Sequence, residues 1–63
     1  AASNTVHIGD HPVDDIQGAK AVGMKTVWVN LDDHSWPVDL VPADVEVNNL
    51  LAIPAAIQTL TML

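Results

Sequence analysis

Two short runs of β-forming residues with a helical segment between them constrain the fold of this chain more than any other feature. The run from Thr5 to Ile8 ends at Gly9 and Asp10, as a buried strand does where it meets a loop. A second run, Met24 to Asn30, is rich in β-branched and aromatic residues and predicts another strand. Strand, helix and strand in this order form a βαβ unit with two parallel strands and a right-handed crossover. The sequence therefore predicts α/β architecture.

The segment between the two strands carries the signals of a helix. Pro12 suits a first turn, and Ile16, Ala19 and Val22 recur at three-residue spacing, which predicts one apolar stripe. Gly23 follows, and a glycine in that place can adopt the left-handed conformation that ends a helix.

The remainder of the chain predicts a loop, a strand and a last helix. Leu31 to Pro42 is polar and contains turn-forming residues, as in a surface loop. Asp44 to Val47 alternates polar and apolar residues, as in a short edge strand, and Asn48 or Asn49 can cap a helix from about Leu50 to Leu60. The predicted order is β-α-β-loop-β-α, part of a Rossmann-like parallel sheet with flanking helices.

Charge excludes two classes of partner. Eight acidic residues against two lysines give a net charge of -6, which repels nucleic acid phosphates and anionic membrane surfaces. The longest apolar run, Leu50 to Ile57, is too short to span a bilayer. Because the sequence also has no cysteine and no N-terminal signal pattern, we expect a soluble, cytoplasmic protein that binds neither nucleic acid nor membrane.

The segment that carries chemistry is the acidic loop from Gly9 to Asp15. It lies where a parallel strand ends and a helix begins, which is the edge at which open α/β sheets bind ligands. Asp10 can converge there with Asp14 or Asp15 on a hard divalent cation such as Mg²⁺. A structural role is the alternative, with Asp14 and Asp15 favouring the positive end of a helix and Asp10 forming a turn.

Nearly the whole chain resembles one enzyme family. Val6 to Asp10, together with Asp15 to Met24, looks like the fourth motif of haloacid dehalogenase-like (HAD) hydrolases and the helix that follows it. Lys25 to Asn30 resembles the next strand of that family, and Pro42 to Leu60 resembles its last strand and closing helix. The resemblance implies that residues 1–63 are the C-terminal part of a HAD-like core domain.

The resemblance also implies a chemistry and a set of site residues. The type it suggests is a Mg²⁺-dependent phosphatase that hydrolyses small phosphomonoesters through an aspartyl-phosphate. Asp10 matches the carboxylate that binds the metal, Asp15 matches the second acid, and Asp14 ranks third. Gly9 and Gly18 match structural positions, with Gly18 expected to let the helix pack closely on the sheet.

Three elements of the family pattern are absent from this sequence. The family's N-terminal Asp-x-Asp motif, its phosphate-binding Ser or Thr, and its Lys ahead of the fourth motif have no counterpart, since Lys20 and Lys25 both follow the acidic loop. Without a nucleophile the covalent route cannot run. We therefore expect no catalytic residue here and a fragment that is inert by itself, whose intact enzyme would bind a small-molecule phosphate ester.

Two other interpretations remain open at this stage. The parent enzyme could be a metal-independent haloacid dehalogenase, although acids at both Asp10 and Asp15 favour the phosphatase. The chain could instead be a non-catalytic α/β fragment that associates with a second copy through its sheet edge and its apolar last helix.

The histidines and tryptophans have simpler explanations than a binding site. His7 alternates with apolar residues and is expected to be a satisfied sheet histidine, while His34 has no partner at ligand spacing. Trp28 is expected in the core. Trp36 is expected to pack against the protein, with a role as a surface anchor as the alternative.

Overall fold

The computed structural model describes residues 1–62 and contains one parallel sheet. Its strands are β1 (Val6–Gly9), β2 (Lys25–Val29) and β3 (Val45–Val47), in the spatial order β1-β2-β3. Both strand pairs are parallel, with Gly9 opposite Trp28 in the first pair. The predicted α/β class and the parallel sheet with flanking helices are confirmed.

The crossover between β1 and β2 begins with a wide turn. Residues Pro12–Gln17 are π-helical and lead into α1, Gly18–Ala21. The widening arises because the His11 carbonyl accepts from the N–H groups four and five residues later, at 3.0 and 3.3 Å. Gly23 ends the crossover helix with a φ of 87°, as its left-handed preference predicts.

The apolar stripe of this crossover is shorter than predicted. Ile16 and Ala19 are buried, whereas Val22 is 58% exposed. The difference follows from the wide first turn, which changes the rotation between successive side chains from that of a regular α-helix.

The last strand leads into a capped helix. The Asn49 side chain accepts from the Ala52 N–H at 3.0 Å, which caps a 3₁₀ turn over Leu50–Ala52. The helix α2 then spans Ile53–Thr61, with Pro54 in its first turn, where the missing N–H of proline removes no helical hydrogen bond. Within residues 1–62, neither α1 nor α2 has the length and apolar character of a transmembrane helix.

The principal core lies between the sheet and α2. Val27 and Val47 pack there against Ala56 and Leu60, and all four side chains are buried. Burial of such side chains contributes about 1.5–3 kcal/mol for each of the larger ones. Val27 and its neighbour Trp28 point to opposite faces of the sheet, so the second face is left for the acidic loop.

A polar clasp joins the starts of β2 and β3. The Asp44 carboxylate accepts from the Thr26 N–H at 2.8 Å and from the Thr26 hydroxyl at 3.1 Å, and that hydroxyl accepts from the Asp44 N–H. Thr26 is fully buried, so Asp44 satisfies a donor that water cannot reach. Lys20 adds an ion pair to Asp44 at 3.5 Å.

Candidate metal-binding loop

The acidic loop lies at the carboxyl end of the sheet. Asp10 follows the last residue of β1 and is exposed, as expected for a residue at a ligand-binding edge. A cleft of about 490 Å³ opens beside it, and its walls combine the loop with the end of β2 and the segment after it. Residues lining the cleft include Asp10, Pro12, Trp28, Asn30 and His34.

Asp15 organises this loop through its carboxylate. Its Oδ2 atom accepts from the Asp10 N–H at 3.0 Å and from the His11 N–H at 2.9 Å. The wide helical turn brings the Asp15 side chain back over the strand end. Asp10 and Asp15, which the sequence predicts to converge, are therefore joined, but through the backbone of Asp10 and not its side chain.

Gly9 is required by the close approach of Asp15. A Cβ atom at Gly9 would lie 2.4–2.5 Å from the Asp15 side chain, closer than any real contact. Gly18 differs. A Cβ atom at Gly18 would meet nothing within 4 Å among the described residues, so the close packing predicted for Gly18 is wrong in this part of the chain.

The hydrogen bonds to Asp15 stabilise its charged form. The N–H of His11 is the main reason that the pKa of Asp15 lies below its ordinary value, and partial burial opposes this effect. The Asp10 N–H and the nearby His7 imidazole lower the pKa further. Asp15 is therefore ionised at neutral pH, with a second carboxyl group beside it.

His7 is less well satisfied than the sequence predicts. It lies on β1 as expected, and its Nε2 atom is 3.6 Å from Asp15 Oδ1. That distance is too long for a hydrogen bond, and Nε2 has no other partner among residues 1–62 although it is buried.

His11 caps the helical turn that follows the loop. Its Nδ1 atom accepts from the Val13 N–H at 3.2 Å and the Asp14 N–H at 3.0 Å. Because Nδ1 uses its lone pair in this way, the 3.8 Å approach of the Asp14 carboxylate to Nδ1 is not an ion pair. The Asp14 side chain is 81% exposed and remains at the rim of the loop.

Trp28 and Asn30, which sequence reasoning did not assign to the site, form the second wall of the cleft, opposite the acidic loop. The Trp28 indole N–H donates to the Asp10 carbonyl at 2.8 Å, and Trp36 packs edge-on against Trp28 with ring centroids 4.8 Å apart. The packing role predicted for Trp36 is confirmed. Asn30 is 3% exposed and binds both the N–H and the carbonyl of His34, at 2.9 and 2.8 Å.

The side chains of the loop suit a hard cation but supply few ligands. Among residues 1–62, no group of three or more His, Asp or Glu side chains is close enough together to hold a metal ion. Mg²⁺ usually keeps several waters and takes only one or two protein carboxylates together with substrate phosphates. Two neighbouring carboxylates also repel each other, and a divalent cation would relieve that repulsion. Asp10 and Asp15 therefore fit part of a Mg²⁺ site.

Comparison with known proteins gives one family and two similar structures. A family model described as HAD-hydrolase-like matches residues 1–49. A 2-haloacid dehalogenase from Pseudomonas syringae pv. Tomato DC3000 is 43% identical with a TM-score of 0.82, over 92% of this chain and 25% of that one. No curated protein matches.

The second similar structure is the HAD-hydrolase YfnB from Bacillus subtilis, described as bound to magnesium. It is 28% identical with a TM-score of 0.78, over 89% of this chain and 24% of that one. The chain thus spans about a quarter of the length of each solved structure.

Proposed function

Because this chain belongs to the HAD-like hydrolase family, we propose that it is the C-terminal, metal-binding segment of a Mg²⁺-dependent hydrolase of small phosphomonoesters. Asp10 is the proposed metal ligand, Asp15 supports it and can add a carboxylate oxygen, and Asp14 at the rim is the third candidate. When bound, Mg²⁺ supplies positive charge that stabilises a transferring phosphoryl group. The nucleophile of that reaction is not among these residues, so the segment alone is expected to be inert.

One observation carries the proposal: Asp15 holds the backbone on both sides of Asp10 while the Asp10 carboxylate stays exposed at the edge of a cleft. None of the side-chain hydrogen bonds among residues 1–62 ends on the Asp10 carboxylate, which leaves it free for a ligand. The similarity to YfnB, a protein described as bound to magnesium, supports the same cation.

The test is a phosphatase assay on the gene product that contains this sequence. We expect hydrolysis of p-nitrophenyl phosphate with Mg²⁺, loss of activity with EDTA, and at least a hundredfold loss in Asp10→Asn. Asp39→Asn is the matched control, since Asp39 is exposed, lies outside the acidic loop and does not line the cleft, and we expect at most a few-fold change. Undiminished turnover in Asp10→Asn would remove Asp10 from the site.

A metal-independent haloacid dehalogenase is the second candidate, favoured by the 43% identity to a 2-haloacid dehalogenase. The same gene product would then release halide from 2-chloropropionate in the presence of EDTA. Halide release without metal, together with no hydrolysis of aryl phosphates, would reverse the order of the two candidates.

Self-association is a third, non-catalytic candidate. Leu51 is 92% exposed and Leu50 61% exposed in the 3₁₀ turn before the last helix, which is more apolar surface than a monomer needs there. Sedimentation of the 63-residue chain would show a dimer, and Leu51→Ser would return it to a monomer. A folded monomer at high concentration would exclude this candidate.

A further inference from the structure

We propose that Trp28 is a positioning residue for Asp10, a role that lies outside the acidic loop and rests on the proposed function of Asp10 as a metal ligand. Trp28 is on β2, directly opposite Gly9 on β1. Its indole N–H donates to the Asp10 carbonyl at 2.8 Å, across the gap between the two strand ends.

The two peptide planes that flank the Cα atom of Asp10 are both held. The Gly9–Asp10 plane is held through the Asp10 N–H, which donates to Asp15. The Asp10–His11 plane is held at both ends, because the His11 N–H donates to Asp15 and the Asp10 carbonyl accepts from Trp28. Since peptide planes are rigid, fixing both of them sets the φ and ψ of Asp10 and so the direction of its Cα–Cβ bond.

Trp28 is the only member of this arrangement that belongs to the neighbouring strand. Asp15 belongs to the helical turn that follows the loop, whereas Trp28 links the loop to the neighbouring strand. The Trp28 side chain is itself fixed, since the residue is 3% exposed and its ring meets Trp36 edge-to-face at an interplanar angle of 72°. This one hydrogen bond therefore orients the Asp10 carboxylate relative to the neighbouring strand.

A simpler explanation is that the hydrogen bond only satisfies a buried indole N–H, as most buried tryptophans require. The two explanations predict different effects when the hydrogen bond is removed. If the bond serves only Trp28, its removal destabilises all parts of the fold to the same extent. If Trp28 positions Asp10, its removal loosens the Asp10–His11 peptide first and weakens cation binding.

The chain offers a matched control. The Trp36 N–H also donates to a backbone carbonyl, that of Leu40, at 3.0 Å. Trp28→Phe and Trp36→Phe therefore remove the same kind of ring and the same kind of hydrogen bond, but only Trp28→Phe removes the bond to Asp10, and a phenyl ring at position 36 still offers an aromatic partner to Trp28. Replacement of Trp28 by benzothienylalanine, which has sulfur in place of the N–H, keeps the shape of the indole and removes only the donor.

The experiment measures amide hydrogen exchange in the 63-residue chain by NMR, without metal. We expect the Asp10 and His11 amides to exchange roughly tenfold faster, relative to the amides of β3, in both Trp28 variants. In Trp36→Phe their exchange should stay within about twofold of the original chain. Equal exchange in the Trp28 variants and Trp36→Phe would overturn the inference.

A Mg²⁺ titration of the same variants separates this inference from the proposed function. We expect Asp10→Asn and both Trp28 variants to weaken Mg²⁺ binding, and Trp36→Phe to preserve it. Unchanged affinity in Asp10→Asn would contradict the proposed function. Loss in Asp10→Asn with unchanged affinity in both Trp28 variants would overturn only the role of Trp28.

Discussion

The Oδ2 atom of Asp15 lies 3.0 Å from the backbone nitrogen of Asp10, so the second acid of the loop binds the first through its main chain. This contact gives the spacing of the two acids a physical reason. Five residues with a helical turn at their end bring the later carboxylate back over the strand end, where two N–H groups have no partner in the sheet. Asp15 therefore shapes the loop, and the carboxylate of Asp10 remains available.

Replacement of Asp15 should loosen the loop at modest cost in stability. In Asp15→Ala the N–H groups of Asp10 and His11 lose their acceptor but can bind water, so we expect the free energy of unfolding to fall by about 1 kcal/mol. Mg²⁺ binding should be lost. Urea unfolding and a Mg²⁺ titration measure the two effects.

The control for this change is Asp39→Ala, which removes a carboxylate of the same charge from an exposed position outside the acidic loop. We expect a change in stability within about 0.5 kcal/mol, as for most surface substitutions. Equal losses of stability and Mg²⁺ binding in the two variants would show that only total charge matters at the loop.

Stability should fall in acid because of the same carboxylate. Hydrogen bonding, first from His11, puts the pKa of folded Asp15 below its ordinary value of 3.8. The unfolded chain therefore takes up the proton first, so the stabilisation is present above pH 3.8 and is lost as pH falls through the lower pKa of the folded state. Urea midpoints between pH 7 and pH 2 should decline most steeply below about pH 4.

Asp44 should contribute to the same acid transition. Burial raises the pKa of Asp44, but hydrogen bonds from Thr26 and the charge of Lys20 together outweigh burial, and the pKa lies below the ordinary value. Asp44→Asn should thus flatten the decline in acid and lower stability at pH 7. An acid profile identical to that of the original chain would show that the hydrogen bonds between Asp44 and Thr26 do not depend on the charge of Asp44.

The sequence predicted most of the fold because its signals are local. Gly23 ends a helix in the left-handed conformation, and Asn49 caps the 3₁₀ turn that leads into the last helix, each through groups within a few residues. The wide turn at Pro12–Gln17 was not predicted, since it depends on how Asp15 reaches the strand end and no propensity describes that.

The second wall of the site could not be read from the sequence. The bond from Trp28 to Asp10 joins residues 18 positions apart and exists only because Gly9 and Trp28 are in register. The role of Asn30 likewise depends on the path of a loop with no periodic pattern. A polar residue at the end of a predicted buried strand was the one available signal for Asn30.

Asn30 should be the most sensitive polar residue of the cleft. Its side chain binds the backbone of His34 and also donates to Glu46 at 2.8 Å, and removal leaves buried groups without partners. We expect Asn30→Ala to lower the free energy of unfolding by about 2 kcal/mol, against less than about 1 kcal/mol for the exposed Asn48→Ala. Urea unfolding of both variants decides the comparison.

Gly9 at the end of β1 and Gly18 in the crossover should respond to alanine in opposite directions. At Gly9 the new methyl group would overlap the Asp15 side chain, so Asp15 must move away from the Asp10 and His11 N–H groups or the strand end must shift. At Gly18 the methyl group enters open space in a helix with an ordinary φ of -60°. We therefore expect Gly9→Ala to cost about 1–3 kcal/mol by overpacking, and Gly18→Ala to add about 0.5–1 kcal/mol through helix propensity. Thermal unfolding of the two variants measures both signs at once.

Destabilisation by Gly18→Ala would mean that this side of the helix is covered in solution, for example by a second copy of the chain. A mild effect of Gly9→Ala would mean that the Asp15 contact can rearrange without loss of stability.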